Sequence, residues 1–511
     1  MNQTQEKHGT AGVLRKLLRP VRIGSALLAA LMVLAGCSVT PTYEHPAVQT
    51  PPAYKEAGPM VLAGEQSSNW KPAQPSEAIA RGEWWRVFND QDLDSLEGRA
   101  LQANQELKAA AARLDQARAL VKNARASVYP EVNAGLGATR QRQSPASQGL
   151  SDGDATQAST LYRAQVGVLY EADLFGRVSA AVDAATADEQ RSEALFRSVL
   201  LALQADVAQQ YFQVRELDAE AALFQRTVVL RQQSMDLVQR RFDEGDITEI
   251  DVARAKTELA SARSEALSIA RRRAVAEHAL ATLLGNTPAE FSIPPRPLTR
   301  IRIAVPAGLP SALLERRPDI AAAERSMAAA NARVGIARSA FFPSLSLTGA
   351  LGFESGQLGD LFNWSSRTFL LGPLVGTALS LPLFDGGRRQ AGVDRARASY
   401  EEHVANYRGT VLDAFREVED NLANLRILAD QGMEQDAAVS ASERAARLSH
   451  MQYREGSISY LDVIDADRTV LLQQRAAVQL DGERARSTVN LIRALGGGWA
   501  FDQPTRLSST Q

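Results

Sequence analysis

The chain has 511 residues, a formal net charge of −2, 45% hydrophobic and 6% aromatic side chains, five histidines and one cysteine. That composition lies far from the disordered range and suits two or three ordinary domains or one extended architecture. The single Cys37 excludes an internal disulfide framework and multi-cysteine zinc sites, and His8, His45, His278, His403 and His450 fall at no ligand-pair spacing, so no metal site is expected.

Residues 1–22 carry Lys7, Arg15, Lys16, Arg19 and Arg22, and Ile23 to Ala35 is an unbroken run of apolar and small residues. At about 13 residues the run is shorter than the roughly 20 that span a bilayer, and it reads as a secretory signal. It ends Leu34-Ala35-Gly36-Cys37, which resembles the bacterial lipobox. Residues 1–36 are therefore expected to be removed, leaving Cys37 as the first residue with diacylglycerol and an N-acyl chain as a covalent lipid anchor. Ser38 rather than an aspartate follows it, the sorting context of the outer membrane. The remaining chain has 52 basic and 58 acidic residues, net −6, and is no candidate for nonspecific nucleic-acid binding. Seven prolines between 38 and 80 exclude a continuous helix there, and the stretch reads as a tether wrapped along a body.

The chain then repeats itself. Phe242-Asp243-Glu244-Gly245-Asp246-Ile247 aligns without gaps to Tyr453-Arg454-Glu455-Gly456-Ser457-Ile458, and on through Asp251 and Asp462, at an offset of 211 that still holds at Leu284-Gly285 and Leu495-Gly496. Val128-Tyr129-Pro130 is echoed by Phe341-Phe342-Pro343, and Asn104-Gln105-Glu106-Leu107 falls opposite Arg317-Pro318-Asp319-Ile320, both at an offset of 213. Leu174-Phe175-Gly176-Arg177 is echoed by Leu383-Phe384-Asp385-Gly386-Gly387-Arg388. Two copies of one unit, 90–287 and 311–498, are joined by a linker at 288–310 and followed by a tail at 499–511.

Each copy has the same internal grammar. A helix-like stretch, 90–127 or 311–340, runs up to a proline. Strands follow: Val132, Ala134, Leu136 and Ala138 alternate with polar or small residues, as do Tyr162, Ala164, Val166, Val168 and Tyr170, and in the second copy Leu345, Leu347, Leu351 and Phe353, with a last strand from Thr368 to Phe384. Strands near ten residues long suit a tilted membrane crossing. Val178 to Asp243 and Arg389 to Glu455 are nearly free of glycine and proline, and as helices at 1.5 Å per residue each reaches about 100 Å. Each turns at a glycine elbow, Gly245 or Gly456, and a second helix returns to Gly285 or Gly496. Leucine and valine spacings such as Leu223, Val228, Leu230 and Leu237 suit coiled-coil-like packing.

Four strands per chain cannot close a barrel, and open sheet edges are not tolerated in lipid, so strands of several chains must combine. The lipobox, Trp84-Trp85-Arg86-Val87-Phe88, Glu106-Leu107, Arg316-Arg317-Pro318-Asp319-Ile320, Phe342-Pro343, Leu383-Phe384-Asp385-Gly386-Gly387 and the two glycine elbows together resemble the outer-membrane factors of the TolC/OprM class, and among them the NodT-like lipoprotein subunits of tripartite efflux systems. The resemblance covers nearly the whole chain after the signal. It implies a mainly α fold with a membrane β-barrel portion: a long α-helical barrel and a 12-stranded β-barrel shared by a homotrimer, four strands per chain. It makes residues 37–89 the N-terminal tether and equatorial segment, with Trp84 and Trp85 as packing residues.

In this family the periplasmic end is closed by one curled hairpin per protomer. The resemblance places Asp462 and Asp465, at i and i+3 on one helical face, at the narrowest pore rings, with Leu461 as an apolar plug. Six carboxylates around a threefold axis imply a preference for cations and sensitivity to multivalent blockers. The first copy has Asp251 opposite Asp462 but Arg254 opposite Asp465, so only the second hairpin carries the paired acids. The resemblance further implies a latch in which Tyr453 hydrogen-bonds Asp251 of the neighbouring hairpin. Ile458 stands where some relatives carry a basic residue, so an arginine latch is not read from this sequence.

The expected function is a passive duct in the outer membrane. It exports small molecules (drugs, toxic compounds or metals) and works with a periplasmic adaptor (membrane fusion protein) and an inner-membrane RND-type pump. A type I protein-secretion duct is the alternative, because the pump rather than the duct selects cargo. A poreless coiled-coil lipoprotein has no use for two hairpins of membrane-spanning length. With no GxSxG, histidine cluster or phosphate loop, no catalytic residue and no cofactor beyond the lipid is assigned.

Overall fold

The computed structural model describes residues 39–47, 50–56, 82–145, 151, 157–301, 303, 312–371 and 379–497. Cys37 and the signal lie outside these residues, as does the tail. The helices are α1 (Gln91–Ala103), α2 (Gln105–Ala126), α3 (Arg177–Asp243), α4 (Glu249–Leu283), α5 (Ala312–Arg316), α6 (Pro318–Ser339), α7 (Arg388–Arg454) and α8 (Tyr460–Ala494). The strands are β1 (Glu131–Gln141), β2 (Ser159–Ala172), β3 (Ser344–Ser355), β4 (Arg367–Leu371) and β5 (Leu379–Ser380). The chain divides into two compact units, each drawing on both copies: Met1–Pro46, Gln116–Gln190 and Arg325–Ala405 in the first, and Ala47–Asp115, Arg191–Glu324 and Asn406–Gln511 in the second.

The first unit holds an antiparallel sheet in the order β1-β2-β3-β4, with β5 also on β3. Its register places Val132 beside Val168, Leu136 beside Ala164 and then Phe353, and Val166 beside Leu351 and then Phe369. The predicted alternation thus gathers on one continuous apolar face, and that face is open, with Leu136 77% and Phe369 76% exposed. The other face carries Gly135, Gly352 and the Arg163–Glu354 ion pair at 2.8 Å. A β-carbon on Gly352 would lie 2.1 Å from the Ala164 carbonyl oxygen, so the backbones approach here as only glycine allows. The last predicted strand ends at Ser380 rather than Phe384, because Pro382 cannot donate to a ladder. Two aspartates start the long helices. Asp173 accepts from the Val178 and Ser179 amides, and Asp385 from those of Gly387 and Arg389. The tether lies on α6, where Asn331 Nδ2 donates to the Pro41 carbonyl at 2.9 Å.

In the second unit the predicted helices 90–127 and 311–340 are each broken at matching positions. Asn104 ends α1 and begins α2, its Oδ1 accepting from the Leu107 amide at 2.9 Å, while Pro318 occupies the first position of α6, where its missing N–H costs nothing. The two breaks do the same job with different chemistry. Asn104 Nδ2 donates to the Leu283 carbonyl at 2.9 Å, and Arg317 Nη1 donates to the Ala494 carbonyl at 3.0 Å, so each satisfies the end of its own copy's returning helix. Gly285 (φ +69°) and Gly496 (φ +83°) close those helices, and a β-carbon at either would meet the backbone of Ala103 or Arg316. Trp84 and Trp85 lie in the apolar core with Leu93, Tyr211, Phe212, Ile269, Leu280 and Val489, and Trp84 Nε1 donates to Gln204. Farther along the tether, Tyr54 is buried, and the Lys55 and Glu56 amides donate to Glu419 of α7.

Glu97 of α1 is fully buried, and neither carboxyl oxygen has a hydrogen-bond partner among the described residues. Burial, helped by the nearby Asp94, pushes its pKa up to about 9. A folded pKa above the unfolded value means that the folded state holds the extra proton. Stability is then greatest below the ordinary value of 4.5 and is lost as pH rises toward about 9. Glu97→Gln is expected to flatten this dependence and to melt a few degrees above the parent at pH 9. Melting curves from pH 5 to 9 test this, and parallel profiles for the two proteins would refute it.

Candidate functional site

The ends of the two hairpins are built from the same local rules. At the first elbow the Gly245 amide donates to the Phe242 carbonyl and the Asp246 amide to Arg241; at the second the Gly456 amide donates to Tyr453 and the Ser457 amide to Gln452. Both glycines sit at positive φ, +81° and +76°, which lets the chain leave a helix within two residues. Val238, Val252, Ala255, Tyr460, Val463 and Ile464 pack together between the hairpins, with Tyr453 against them.

Leu461, Asp462 and Asp465 lie in the first two turns of α8, all exposed. Asp462 has a structural task. Ser459 donates to its Oδ2 from both the backbone amide (3.0 Å) and the hydroxyl (2.7 Å), a capping box that starts α8. These bonds, the hydroxyl's first, hold its carboxyl below the usual range, so it stays charged at neutral pH. The spacing Ser459-x-x-Asp462, repeated as Thr248-x-x-Asp251, is the signal for this that reasoning from the pore rings passed over. Asp465 lies 3.5 Å from Arg468. The structure does not bring the two latch residues together within one chain. Asp251 accepts from Thr248 Oγ1 and pairs with Arg254, while the Tyr453 hydroxyl has no partner among the described residues and its ring lies under the Arg241 guanidinium at 5.2 Å.

The sequence reading missed an ionic node one turn farther up. Arg231 of α3 and Glu258 of α4, 5% and 8% exposed, lie 3.6 Å apart. Arg231 also pairs with Asp467 of α8 at 3.2 Å, and Asp467 meets His450 of α7 at 2.8 Å. Arg468 of α8 donates to Glu258 at 3.0 Å while facing Asp465. All four long helices meet in this node, which ties the hairpin bearing the paired acids to the hairpin lacking them. No sequence motif announces it, because its members lie up to 237 positions apart, from Arg231 to Arg468.

A sheet with an open apolar face and hairpins of long helices ending in charged turns define a membrane channel rather than a globular protein. The profile of the outer membrane efflux protein family matches residues 96–286 and again 309–497, and the chain belongs to that family. It is 36% identical over 480 residues to outer membrane protein OprJ of Pseudomonas aeruginosa, covering 93% of this chain and 95% of that one. It is also 36% identical to the toluene efflux pump outer membrane protein TtgC of Pseudomonas putida, at 93% and 95% coverage. Among solved structures, the outer-membrane channel OprN aligns at a TM-score of 0.81 with 29% identity, over 91% of this chain and all of that one. The protein is thus an outer-membrane efflux channel protein with the TolC-like fold, and the expected architecture of long helices with a strand portion and internal duplication holds.

Glu258→Ala leaves the buried Arg231 with one of its two acids and is expected to cost about 3 kcal/mol or more. The exposed Asp465→Ala is expected to cost under about 1 kcal/mol. Denaturation midpoints compare the two variants, and equal losses would contradict a structural role for the node.

Proposed function

We propose that three copies of this chain form one duct. Their strands close a 12-stranded barrel in the outer membrane, and their long helices form an α-helical barrel. The observation that carries this reading is the sheet: strands of 11, 14 and 12 residues with a continuous exposed apolar face and two edges that are unpaired among the described residues. Strands of that length cross a bilayer when tilted, and in lipid their edges have to be paired. The channel is passive. A periplasmic adaptor and an inner-membrane RND-type pump drive it, and small molecules are the cargo. The toluene efflux named for TtgC supports that cargo class.

Asp462 and Asp465, with Leu461, form the closed gate. Threefold symmetry brings six carboxylates to one axis, and the Ser459 cap keeps Asp462 ionised against the mutual repulsion that this creates. Tyr453 latches onto Asp251 of a neighbouring chain's hairpin, a contact supported by a Tyr453 hydroxyl left unpartnered among the described residues of its own chain. Cys37 carries the acyl anchor.

In planar bilayers the parent trimer is expected to conduct weakly, prefer cations and be blocked by multivalent cations. Asp462→Ala with Asp465→Ala is expected to conduct several-fold more and to lose the preference, and unchanged selectivity would rule out these acids as the gate. Labelled palmitate is expected in the parent and absent from Cys37→Ser; label retained in the variant would place the anchor elsewhere.

A further inference from the structure

The linker between the copies is strapped to the first hairpin and then grips the second. Over α3 and α4, the Ile293 and Pro294 carbonyls each accept at 2.7 Å, from Arg273 Nη2 and Arg215 Nη1, and the Leu298 amide donates to the Arg215 carbonyl. Two residues on, Arg300 enters a groove of about 320 Å³ lined by α7 and α8. Its two terminal nitrogens take both oxygens of Asp436 on α7, Nη1 at 2.6 Å, while Nε donates to Asp481 on α8 at 3.0 Å. A two-pronged guanidinium–carboxylate pair fixes orientation as well as distance. The receiving acids exist only in the second copy, for Gln225 and Ala270 stand at the corresponding positions of the first. That copy is also the one that carries both Asp462 and Asp465.

We infer that Arg300 is the fulcrum of the gate, a positioning residue that pins α7 and α8 to each other and to the first hairpin, so that only the helix beyond it swings. Asp436 lies about 27 Å along α7 from its end at Arg454, and Asp481 lies about 28 Å along α8 from Asp462, so the two free arms match in length. The inference rests on the gate reading above. Its test keeps the two apart by recording both conductance and ion selectivity.

Purified trimers in planar bilayers are compared as parent, Arg300→Ala, Arg300→Asp, Arg300→Asp with Asp436→Arg, and Asp462→Ala with Asp465→Ala. Loss of the fulcrum is expected to raise resting conductance at least threefold while leaving cation selectivity at the parent value, because the acid ring is untouched. The reversed pair is expected to recover at least half of the closure lost in Arg300→Asp. If the acid variant changes selectivity but Arg300→Ala conducts like the parent, the fulcrum is overturned and the gate stands. If neither variant differs from the parent, both ideas fail. Should Arg300→Ala not assemble, Arg300→Lys keeps the charge without the two-pronged grip; an intermediate conductance supports the fulcrum, and parental conductance overturns it.

Discussion

Inside hydrocarbon every backbone N–H and C=O has to find its partner in protein, and a sheet that ends in two free edges cannot stay there alone. Among the described residues, the sheet of this chain has one such edge along β1 and the other along β4 and β5, while its apolar side chains are exposed on one face. Oligomerisation in this reading is a condition for placing the strands in a bilayer at all. The alternation in β1, β2 and β3 follows from the same condition, since lipid takes one face and glycine and an ion pair take the other.

Duplication supplies strands in pairs, and the two copies have then diverged around fixed backbone needs. Each returning helix ends with carbonyls that want donors, and each receives one from the helix break beside it, from the amide of Asn104 in one copy and the guanidinium of Arg317 in the other. The glycines that close those helices stay in both, because the neighbouring backbone occupies the space of a side chain. Where no backbone need fixes the residue, the copies separate: Arg254 aligns with Asp465, and Gln225 with Asp436.

Features set by local rules were legible in the sequence. The strand faces, the extent of α3 and α7 and the two elbows each follow from periodicity or from glycine. The break at Asn104 was hidden because its flanks, Gln91–Ala103 and Gln105–Ala126, are both rich in helix formers and a single cap residue separates them, whereas the break at Arg317 is marked in the sequence by Pro318. The acids proposed for the gate were assigned through family likeness, which passed over their local setting. Asp462 begins a helix, and Asp465 shares Arg468 with Glu258. The node around Arg231 lay beyond reach, since only folding brings four helices to one point.

The helix-starting aspartates carry a different lesson. Asp173 reaches amides five and six residues ahead, whereas Asp385 reaches those two and four ahead, so the two acids occupy different columns when the copies are aligned. The task has outlived the position. A ranking of sites by column identity would score both aspartates as drift, although each anchors the start of a 67-residue helix. In repeats of this age, common descent is better traced through which backbone groups are satisfied than through which letters match.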